Sequence, residues 1–385
     1  MKKLFLILTV GSMILVNVFP QEDIYSKAYI KTLMWKVNNY QINHPLAEND
    51  DIWIRGTYYT GVMAAFQATG NIIYLNQCDA WGRENEWKIP AIEMNSETSG
   101  ANALTCSQTW LESYMAENKK YKIQPTIEHL ESPELKNPVN CPLTYYYEGD
   151  AARYVDATYV CAPALAMLSK ITGNPKYLNW MDSFFWDVYG ALYSQEDNLF
   201  YRDQRFIYQK CEPTGNRDDN ARQPYIYKIT PNGKKVLWSR GNGWAFAALA
   251  RILKYTPAEY VNYNRYKELY LKMATELKKR QQPDGFWYPN LDDPKDYGSK
   301  ETSGTGFFTY GLAWGINNGI LSREEYYPVI EKSWAALVSA LSEEGKVQWG
   351  QRVAFSPHKI LQEDSQEYVS GMFLLAASEM YRMGK

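Results

Sequence analysis

The sequence predicts an all-α protein built from successive helical hairpins that form a toroid or a solenoid. Two apolar helices each end at a glycine, Gly70 and Gly173, and glycine is the residue type that most often terminates a helix. Each apolar helix precedes an amphipathic one, and such pairs recur about every fifty to sixty residues, a period typical of helical repeats. A closed ring buries the inner helices on both sides. An open superhelix that binds protein partners is the alternative.

The helical pairs follow one another along the chain. Apolar helices are predicted over residues 58–67 and 158–171, from Trp244 onward, and over Gly306 to Trp314. Pro175 begins the amphipathic partner of the second, and Ser322 with Glu325 forms a capping box before the partner of the last. Three partner helices carry apolar residues at helical spacing: Leu178, Met181, Phe185 and Val188; Leu269, Met273 and Leu277; Ile330, Trp334, Leu337 and Leu341.

The N-terminus has the composition of a secretory signal. Lys2 and Lys3 precede an apolar run from Leu4 to Val18, which is short for a bilayer span. Residues 1–21 are therefore predicted to be a signal peptide that directs export to the periplasm, with the cleavage position left open and a retained anchor as the alternative. No second long apolar run follows, so no membrane contact is predicted once the signal is removed.

Composition excludes some classes of partner. A formal net charge of -2 and the lack of a basic block argue against nucleic acid. Aromatic residues make up 15% of the chain, including 13 Trp and 32 Tyr, and flat rings with a polar edge suit sugar faces as well as wide helical cores. The oligomeric state is left open.

Cysteine and histidine are sparse and show no metal-ligand spacing. The three histidines are isolated in sequence, and no nucleophile elbow is present. The five cysteines are scattered: Cys78, Cys106, Cys141, Cys161 and Cys211. Cys161 lies in an apolar run, and one disulfide among the others is compatible with an oxidising compartment. The sequence therefore predicts no metal site, no cofactor and no serine or cysteine triad.

Residues 238–244 are the most distinctive stretch, because Arg240 and Asn242 lie between Trp238 and Trp244. Two glycines in this run allow close backbone approach, and the apolar residues that follow predict a helix. A helix N-terminus together with an arginine attracts an anion, so a carboxylated sugar held against indole faces is one interpretation. The other is a structural turn in which both indoles are core and Arg240 pairs with a neighbouring carboxylate.

Asp156 occupies the N-terminal end of the second apolar helix. By itself this position favours a helix cap over a catalytic carboxylate. Polar loops also precede other apolar helices, at residues 301–306 and at Asp364, Ser365 and Glu367. In a ring, all these helix starts gather at one mouth.

The chain resembles glycoside hydrolase family 105, the unsaturated rhamnogalacturonyl and glucuronyl hydrolases related to family 88. The resemblance runs from about Trp53 to the C-terminus. It is carried by the order and spacing of five motifs: Asp156-Ala157-x-x-x-x-Ala162-Pro163, Phe200-Tyr201-Arg202-Asp203-x-Arg205-Phe206, Trp238-x-Arg240-Gly241-Asn242-Gly243-Trp244, Gln282-Pro283-Asp284-Gly285-x-Trp287 and Glu301-Thr302-Ser303-Gly304-Thr305-Gly306. It implies a single (α/α)6-barrel catalytic domain over residues 22–385.

The resemblance also implies the reaction and its residues. The expected substrate is an anionic oligosaccharide left by a polysaccharide lyase, from whose non-reducing end the enzyme removes a 4,5-unsaturated uronic acid. Protonation at C4 gives an oxocarbenium-like centre at C5 that water attacks, so one carboxyl group suffices as acid and then base. Asp156 matches the family's catalytic aspartate. Arg240 is expected to bind the uronate carboxylate, and Asn242 to contact substrate. Trp238 and Trp244 are expected to stack on the sugar or to form the wall of the subsite.

Departures from the family pattern bear on the substrate. Asn102 stands where some members carry an acidic residue, and Arg202 stands where pectin-acting members place a histidine. Both are predicted to contact substrate. An additional arginine favours a more anionic ligand, such as the sulfated rhamnose of ulvan, over a rhamnogalacturonan fragment, whereas pairing of Arg202 with Asp203 is the alternative. Tyr59 is predicted to line the pocket, with a place in the core as the alternative.

Two other functions remain open from the sequence. A polysaccharide lyase on the same toroid would abstract a proton with a tyrosine, and Tyr145, Tyr146 and Tyr147 suit that role. A non-catalytic periplasmic sugar-binding protein would need the residue 238–244 motif but would have no use for Asp156.

Overall fold

The computed structural model describes residues 23–46, 53–89, 100–132, 153–208, 229–354 and 356–384. The predicted signal peptide at residues 1–21 lies outside these ranges, as do Cys141, Cys211 and Tyr145, Tyr146 and Tyr147. The described helices are α1 Lys27–Asn43, α2 Trp53–Thr69, α3 Ile72–Glu84, α4 Gly100–Ala103, α5 Thr105–Glu117, α6 Gln124–Glu131, α7 Ala157–Val160, α8 Ala162–Thr172, α9 Lys176–Leu192, α10 Ser239–Tyr255, α11 Tyr263–Arg280, α12 Thr302–Asn317, α13 Arg323–Ser339 and α14 Glu367–Met383.

Six of the described helices form a closed inner ring. The helix α2 packs against α5, α5 against α8, α8 against α10, α10 against α12, α12 against α14, and α14 returns to α2. Outer helices cover this ring: α1 contacts α14, α3 contacts α2, α9 contacts α8, α11 contacts α10 and α13 contacts α12. The predicted all-α class and the six-hairpin (α/α)6 barrel are confirmed, because closure between the first and last inner helices excludes an open solenoid.

Helix ends follow the local sequence signals. Gly173 ends α8 with φ of 69°, and Gly70 follows α2 with φ of 67°, left-handed conformations in which a β-carbon is unfavourable. The Ser322 side chain caps α13 by accepting the Glu325 backbone N–H. The predicted alternation of inner and outer helices is therefore set by these short-range terminators.

The ring closes through two glycines that face each other. A β-carbon on Gly371 would lie 2.5 Å from the carbonyl oxygen of Thr57, and one on Gly61 would collide with the Gly371 carbonyl. Since no side chain fits there, the backbones of α2 and α14 meet directly. This contact joins segments about three hundred residues apart in the chain.

A short hairpin interrupts the helices near the mouth of the ring. Strand β1, Tyr193–Ser194, pairs antiparallel with strand β2, Leu199–Phe200. The residues that follow β2 run alongside the start of α7, where Tyr154 forms a backbone bridge with Asp203. The hairpin therefore brings the segment that carries Arg202 to the end of the helix preceded by Asp156.

Large aromatic side chains fill much of the ring. Trp81 packs on Trp110 with ring centroids 4.4 Å apart, and Phe307 contacts both Trp244 and Tyr159. Cys78, Cys106 and Cys161 are buried. None of the helices in the described ranges is long and apolar enough to cross a bilayer. The same ranges contain no group of three His, Cys, Asp or Glu residues arranged to hold a metal ion.

Candidate active site

The N-terminal ends of the inner helices meet at one mouth of the ring, and Asp156 lies among them. It immediately precedes α7, yet its side chain makes no capping hydrogen bond. Its Oδ2 atom is buried and has no hydrogen-bond partner among the described residues. Because the carboxyl group does not serve the helix, the interpretation of Asp156 as a cap is wrong.

Arg202 is the nearest cation to this carboxyl group. Its Nε lies 3.5 Å from Asp156 Oδ2, while its Nη1 donates to Asp203 Oδ2 at 2.7 Å. The guanidinium also lies over the Tyr154 ring, 5.1 Å from the centroid. The side chains of Arg202 and Asp156 are 10% and 17% exposed, so both are mostly buried. Of the two interpretations of Arg202, pairing with Asp203 is the one that the structure contains.

Asn102 lies in the short helix α4 and contacts Tyr154, two residues before Asp156. Its Oδ1 accepts the Tyr154 hydroxyl at 3.2 Å, and α4 packs against α7. Asn102 is half-buried. The structure thus brings together Asn102, Arg202 and Asp156, with Tyr154 between the first two, although a substrate contact by Asn102 stays a prediction.

Burial raises the pKa of the Asp156 carboxyl above its ordinary value of 3.8, and the charges of Arg202 and Arg240 only partly offset this effect. A carboxyl group with a raised pKa holds its proton closer to neutral pH, as a general acid must. Neighbouring Asp203 has the opposite shift: despite its burial, hydrogen bonds from Arg205 and the charge of Arg202 hold its pKa below the ordinary value.

Arg240 is buried beneath the mouth. Its Nη1 donates to the carbonyl oxygens of Gln351 and Arg352, both at 3.0 Å, and to the Tyr368 hydroxyl. Its Nη2 donates to the carbonyl of Ala354 at 3.3 Å. In this arrangement Arg240 anchors the segment between α13 and α14. It contributes positive charge near Asp156, and a direct bond to a uronate carboxylate stays a prediction.

Trp238 is fully buried under Arg240, whose guanidinium lies 4.4 Å from the indole centroid. The indole Nε1 donates to Gln351 Oε1 at 2.7 Å, and Gln351 Nε2 donates to His358 Nδ1 at 3.0 Å. His358 Nδ1 also lies 3.5 Å from the carbonyl oxygen of Ser356. Burial and the charge of Arg240 lower the pKa of His358 to about 4.

Asn242 has a structural position. Its Oδ1 accepts the Phe200 N–H at 2.7 Å, and its Nδ2 donates to the carbonyl oxygens of Phe200 and Trp238, both at 3.0 Å. Both amide protons are therefore used. The expected substrate contact of Asn242 is replaced by a clamp that holds β2, and with it Arg202, against α10.

The aromatic residues of the mouth divide into buried and accessible ones. Trp244 is 1% exposed and packs against Tyr159 and Phe307, so it is a wall residue with no free face. Trp53, at the first position of α2, is half-buried and lies 5.2 Å from the Tyr368 ring. Compared with Trp238 and Trp244, Trp53 is the indole that keeps part of its surface exposed among the described residues.

Tyr59 is half-buried and stacks on Trp81 with ring centroids 4.1 Å apart and planes 3° apart. One face of its ring is therefore used within the protein. This contact agrees with the core interpretation, and lining of the pocket by Tyr59 stays a prediction.

Sequence reasoning did not identify Tyr154, Asp203, Tyr368 or Gln351 as site residues. Asp203 follows Arg202 in a motif already singled out, so its adjacency was a usable signal. Tyr368 and Gln351 are more than a hundred residues from Arg240, and no local pattern marks them.

A six-hairpin ring of helices with a buried carboxyl group beside arginines at its mouth is the architecture of a carbohydrate-active enzyme of the (α/α)6 class. The chain belongs to Glycosyl Hydrolase Family 88, because the sequence profile of that family matches residues 25–384. The predicted family relationship and the prediction of a glycosidase are confirmed.

Two relatives cover most of the chain. The Unsaturated 3S-rhamnoglycuronyl hydrolase of Formosa agariphila is 30% identical over 402 residues, covering 100% of this chain and 98% of the relative. A protein of the same name from Alteromonas sp. is 33% identical over 349 residues, covering 87% of this chain and 78% of the relative.

Two solved structures share the fold. A Glycosyl hydrolase family 88 protein from Bacteroides vulgatus is 31% identical with a TM-score of 0.78, covering 93% of this chain and 99% of its own. A protein named as a polysaccharide lyase is 30% identical with a TM-score of 0.79, covering 93% of this chain and 98% of its own.

Proposed function

We propose that this enzyme removes a 4,5-unsaturated glucuronyl residue from the non-reducing end of lyase-generated oligosaccharides, with Asp156 as general acid and then general base. The observation that carries the proposal is the state of the Asp156 carboxyl group. It is buried at the mouth, makes no capping bond, has a raised pKa and lies 3.5 Å from Arg202.

The reaction requires one proton donor and one water. The Asp156 carboxyl group gives its proton to C4, the electrons of the C4–C5 double bond form the new C–H bond, and positive charge develops at C5 and the ring oxygen. Water adds to C5 and loses a proton to the Asp156 carboxylate, which restores the acid. The hemiketal then opens and releases the aglycone. The nearby guanidinium charges of Arg202 and Arg240 stabilise Asp156 while it is ionised between the two steps.

We further propose that the aglycone is a rhamnose that carries a sulfate, as in ulvan fragments. Two relatives named as unsaturated 3S-rhamnoglycuronyl hydrolases support this choice, and they match 100% and 87% of the chain. The accessible indole of Trp53 suits an apolar sugar face beside the charged groups.

A lyase is the second candidate, because a structural neighbour at 30% identity is named as a polysaccharide lyase. A lyase creates the unsaturated uronate, whereas the proposed hydrolase consumes it. Ultraviolet absorbance of the conjugated uronate therefore changes in opposite directions for the two activities.

The test follows this absorbance with purified protein and oligosaccharides made by lyases from ulvan, rhamnogalacturonan and glycosaminoglycans. We expect the signal to fall with ulvan fragments and to fall more slowly with the same fragments after chemical desulfation. A signal that rises on intact polysaccharide would establish the lyase. Equal rates with sulfated and desulfated fragments would remove the sulfate from the proposal.

Asp156→Asn should lower kcat by about a thousandfold, the contribution typical of a positioned acid and base, while oligosaccharide binding is retained. Glu325→Gln is the matched control, since Glu325 lies on the outer helix α13 and pairs with Lys278. Full turnover by the Asp156 variant would contradict the catalytic assignment. Binding without turnover in the unmodified protein would indicate a sugar-binding protein.

A further inference from the structure

We propose that Asp203 is a positioning residue that holds Arg202 away from a direct hydrogen bond with Asp156, so that Asp156 keeps its proton for transfer. The proposal rests on the proposed function, in which Asp156 is the acid. It assigns a role to a carboxylate that touches neither the reacting atoms nor Asp156 itself.

The first support is the number of bonds that Asp203 accepts. It is 0% exposed. Its Oδ2 accepts from Arg202 Nη1 at 2.7 Å and from Arg205 Nη2 at 2.8 Å, and its Oδ1 accepts the backbone N–H and Nε of Arg205, both at 2.9 Å. A carboxylate with four donors is fixed in place, and it fixes the guanidinium bonded to it.

The second support is the backbone. Val155 N–H donates to the carbonyl oxygen of Arg202 at 2.9 Å, and Tyr154 and Asp203 form a bridge. The segment that carries Arg202 and Asp203 is thus tied to the residues directly before Asp156. The Tyr154 ring lies against the Arg202 guanidinium. Together these contacts keep Arg202 Nε at 3.5 Å from Asp156 Oδ2, beyond a charge-assisted hydrogen bond.

In the described part of the chain, charged and titratable groups face Asp156 from the segment after β2, from α10 and from α14. Arg202 and Asp203 follow β2, Arg240 lies on α10, and Tyr368 lies on α14. From the α4 side comes the uncharged Asn102. Burial raises the pKa of Asp156, Arg202 and Arg240 lower it, and the charge of Asp203 raises it again. Asp203 therefore acts on Asp156 twice, through its own charge and through its hold on Arg202.

This arrangement predicts opposite results for two substitutions. Asp203→Asn removes the charge that competes for Arg202, so Arg202 pairs more fully with Asp156 and lowers its pKa. The alkaline limb of the pH profile of kcat/KM therefore moves to lower pH. Arg202→Gln removes the cation, so the limb moves to higher pH. We expect the Asp203 variant to lose about tenfold in kcat/KM on the alkaline side, the effect typical of an opposite charge beside a carboxyl group.

Arg205→Lys is the matched control, because it keeps a positive charge beside Asp203 and leaves the hydrogen bond between Arg202 and Asp203 in place. The alkaline limb of its pH profile of kcat/KM should stay at the same pH as in the parent protein. A purely structural role for Asp203 would lower kcat without moving the limb, and that result would overturn the proposal. A shift of the Asp203 variant to higher pH would also overturn it.

Two further measurements keep the test decisive. If Asp203→Asn does not fold, the Arg202→Gln variant still tests the proposal, and an unmoved limb there contradicts it. Carbon-13 NMR titration of the Asp156 carboxyl group, assigned by its loss in Asp156→Asn, reads the same shifts without turnover. Retained activity in Asp156→Asn would defeat the proposed function, whereas an unchanged NMR titration in Asp203→Asn would defeat only this inference.

Discussion

Two buried carboxyl groups at opposite ends of the ring lie beside arginines, yet their pKa values move in opposite directions. Asp156 lies at the N-terminal mouth and has a raised pKa. Glu112 lies in the C-terminal half of α5, 2% exposed, and has a lowered pKa. Burial pushes both values upward, so the difference arises from how each carboxyl group meets its cations.

At the far end, cation and carboxylate are in direct contact. Arg251 Nη2 lies 3.1 Å from Glu112 Oε1, the Tyr255 hydroxyl donates to the same oxygen, and Lys254 Nζ lies 3.9 Å away. Arg251 Nε in turn donates to Gln108 Oε1 at 2.8 Å. At the mouth, Arg202 and Arg240 are bound to other acceptors. Direct contact with its cations therefore keeps the pKa of Glu112 low, whereas the pKa of Asp156 stays raised because Arg202 and Arg240 donate their hydrogen bonds to other acceptors.

The strongest test of this comparison is Glu112→Gln. The change leaves Arg251 buried without its counter-charge, so the free energy of unfolding should fall by about 3–5 kcal/mol. Denaturant unfolding measures the loss, and kcat per folded molecule should be unchanged because Glu112 lies far from the mouth. A loss of kcat at unchanged stability would show that the two ends do not differ in the way described.

His358 extends the comparison to a buried base at the mouth. Its pKa is about 4 in the folded protein against an ordinary value of 6.5, so the unfolded chain binds the proton first as pH falls. The stabilisation is fully present above pH 6.5 and is lost as pH falls towards 4, with a total of about 3 kcal/mol.

The variant His358→Asn, which keeps an acceptor for Gln351, should lose most of this pH dependence. Unfolding followed between pH 7 and 4 measures it. His129, whose pKa is also lowered by burial, remains in both proteins and accounts for a residual slope. If the free energy of unfolding depends on pH equally in the variant and the parent, a group other than His358 causes the loss of stability at low pH.

The smallest expected effect is the stability of Asp156→Asn. The folded protein holds the Asp156 proton to higher pH than the unfolded chain, so this group costs stability as pH rises above its ordinary value of 3.8. The variant should be more stable at pH 8 by on the order of 1 kcal/mol and equal at pH 3. Thermal unfolding at both pH values checks this. Glu112→Gln, with the opposite pKa shift, should show no such gain.

Part of the site was predictable from local sequence signals, which involve residues close to each other in the chain. The helix after Trp238 and the position of Asp156 at a helix start depend on glycine placement and apolar spacing, which are local. The burial of Trp238 and Trp244 agrees with the structural interpretation of this stretch. The partners of Trp238, Arg240 and Asn242 were not predictable. Trp238 binds Gln351, Arg240 binds the carbonyl oxygen of Ala354, and Asn242 binds the backbone of Phe200. Only the closed ring brings these residues together.

The sequence by itself determined the helical hairpins, their ends and the family, because those features depend on periodicity, capping residues and motif spacing. The tertiary structure decided which buried carboxyl group has a raised pKa and which has a lowered one. That distinction depends on burial and on a contact of 3.5 Å rather than 3.1 Å to a guanidinium. Such distances arise from the packing of elements distant in the chain, where electrostatic energies are steepest and local sequence carries no information.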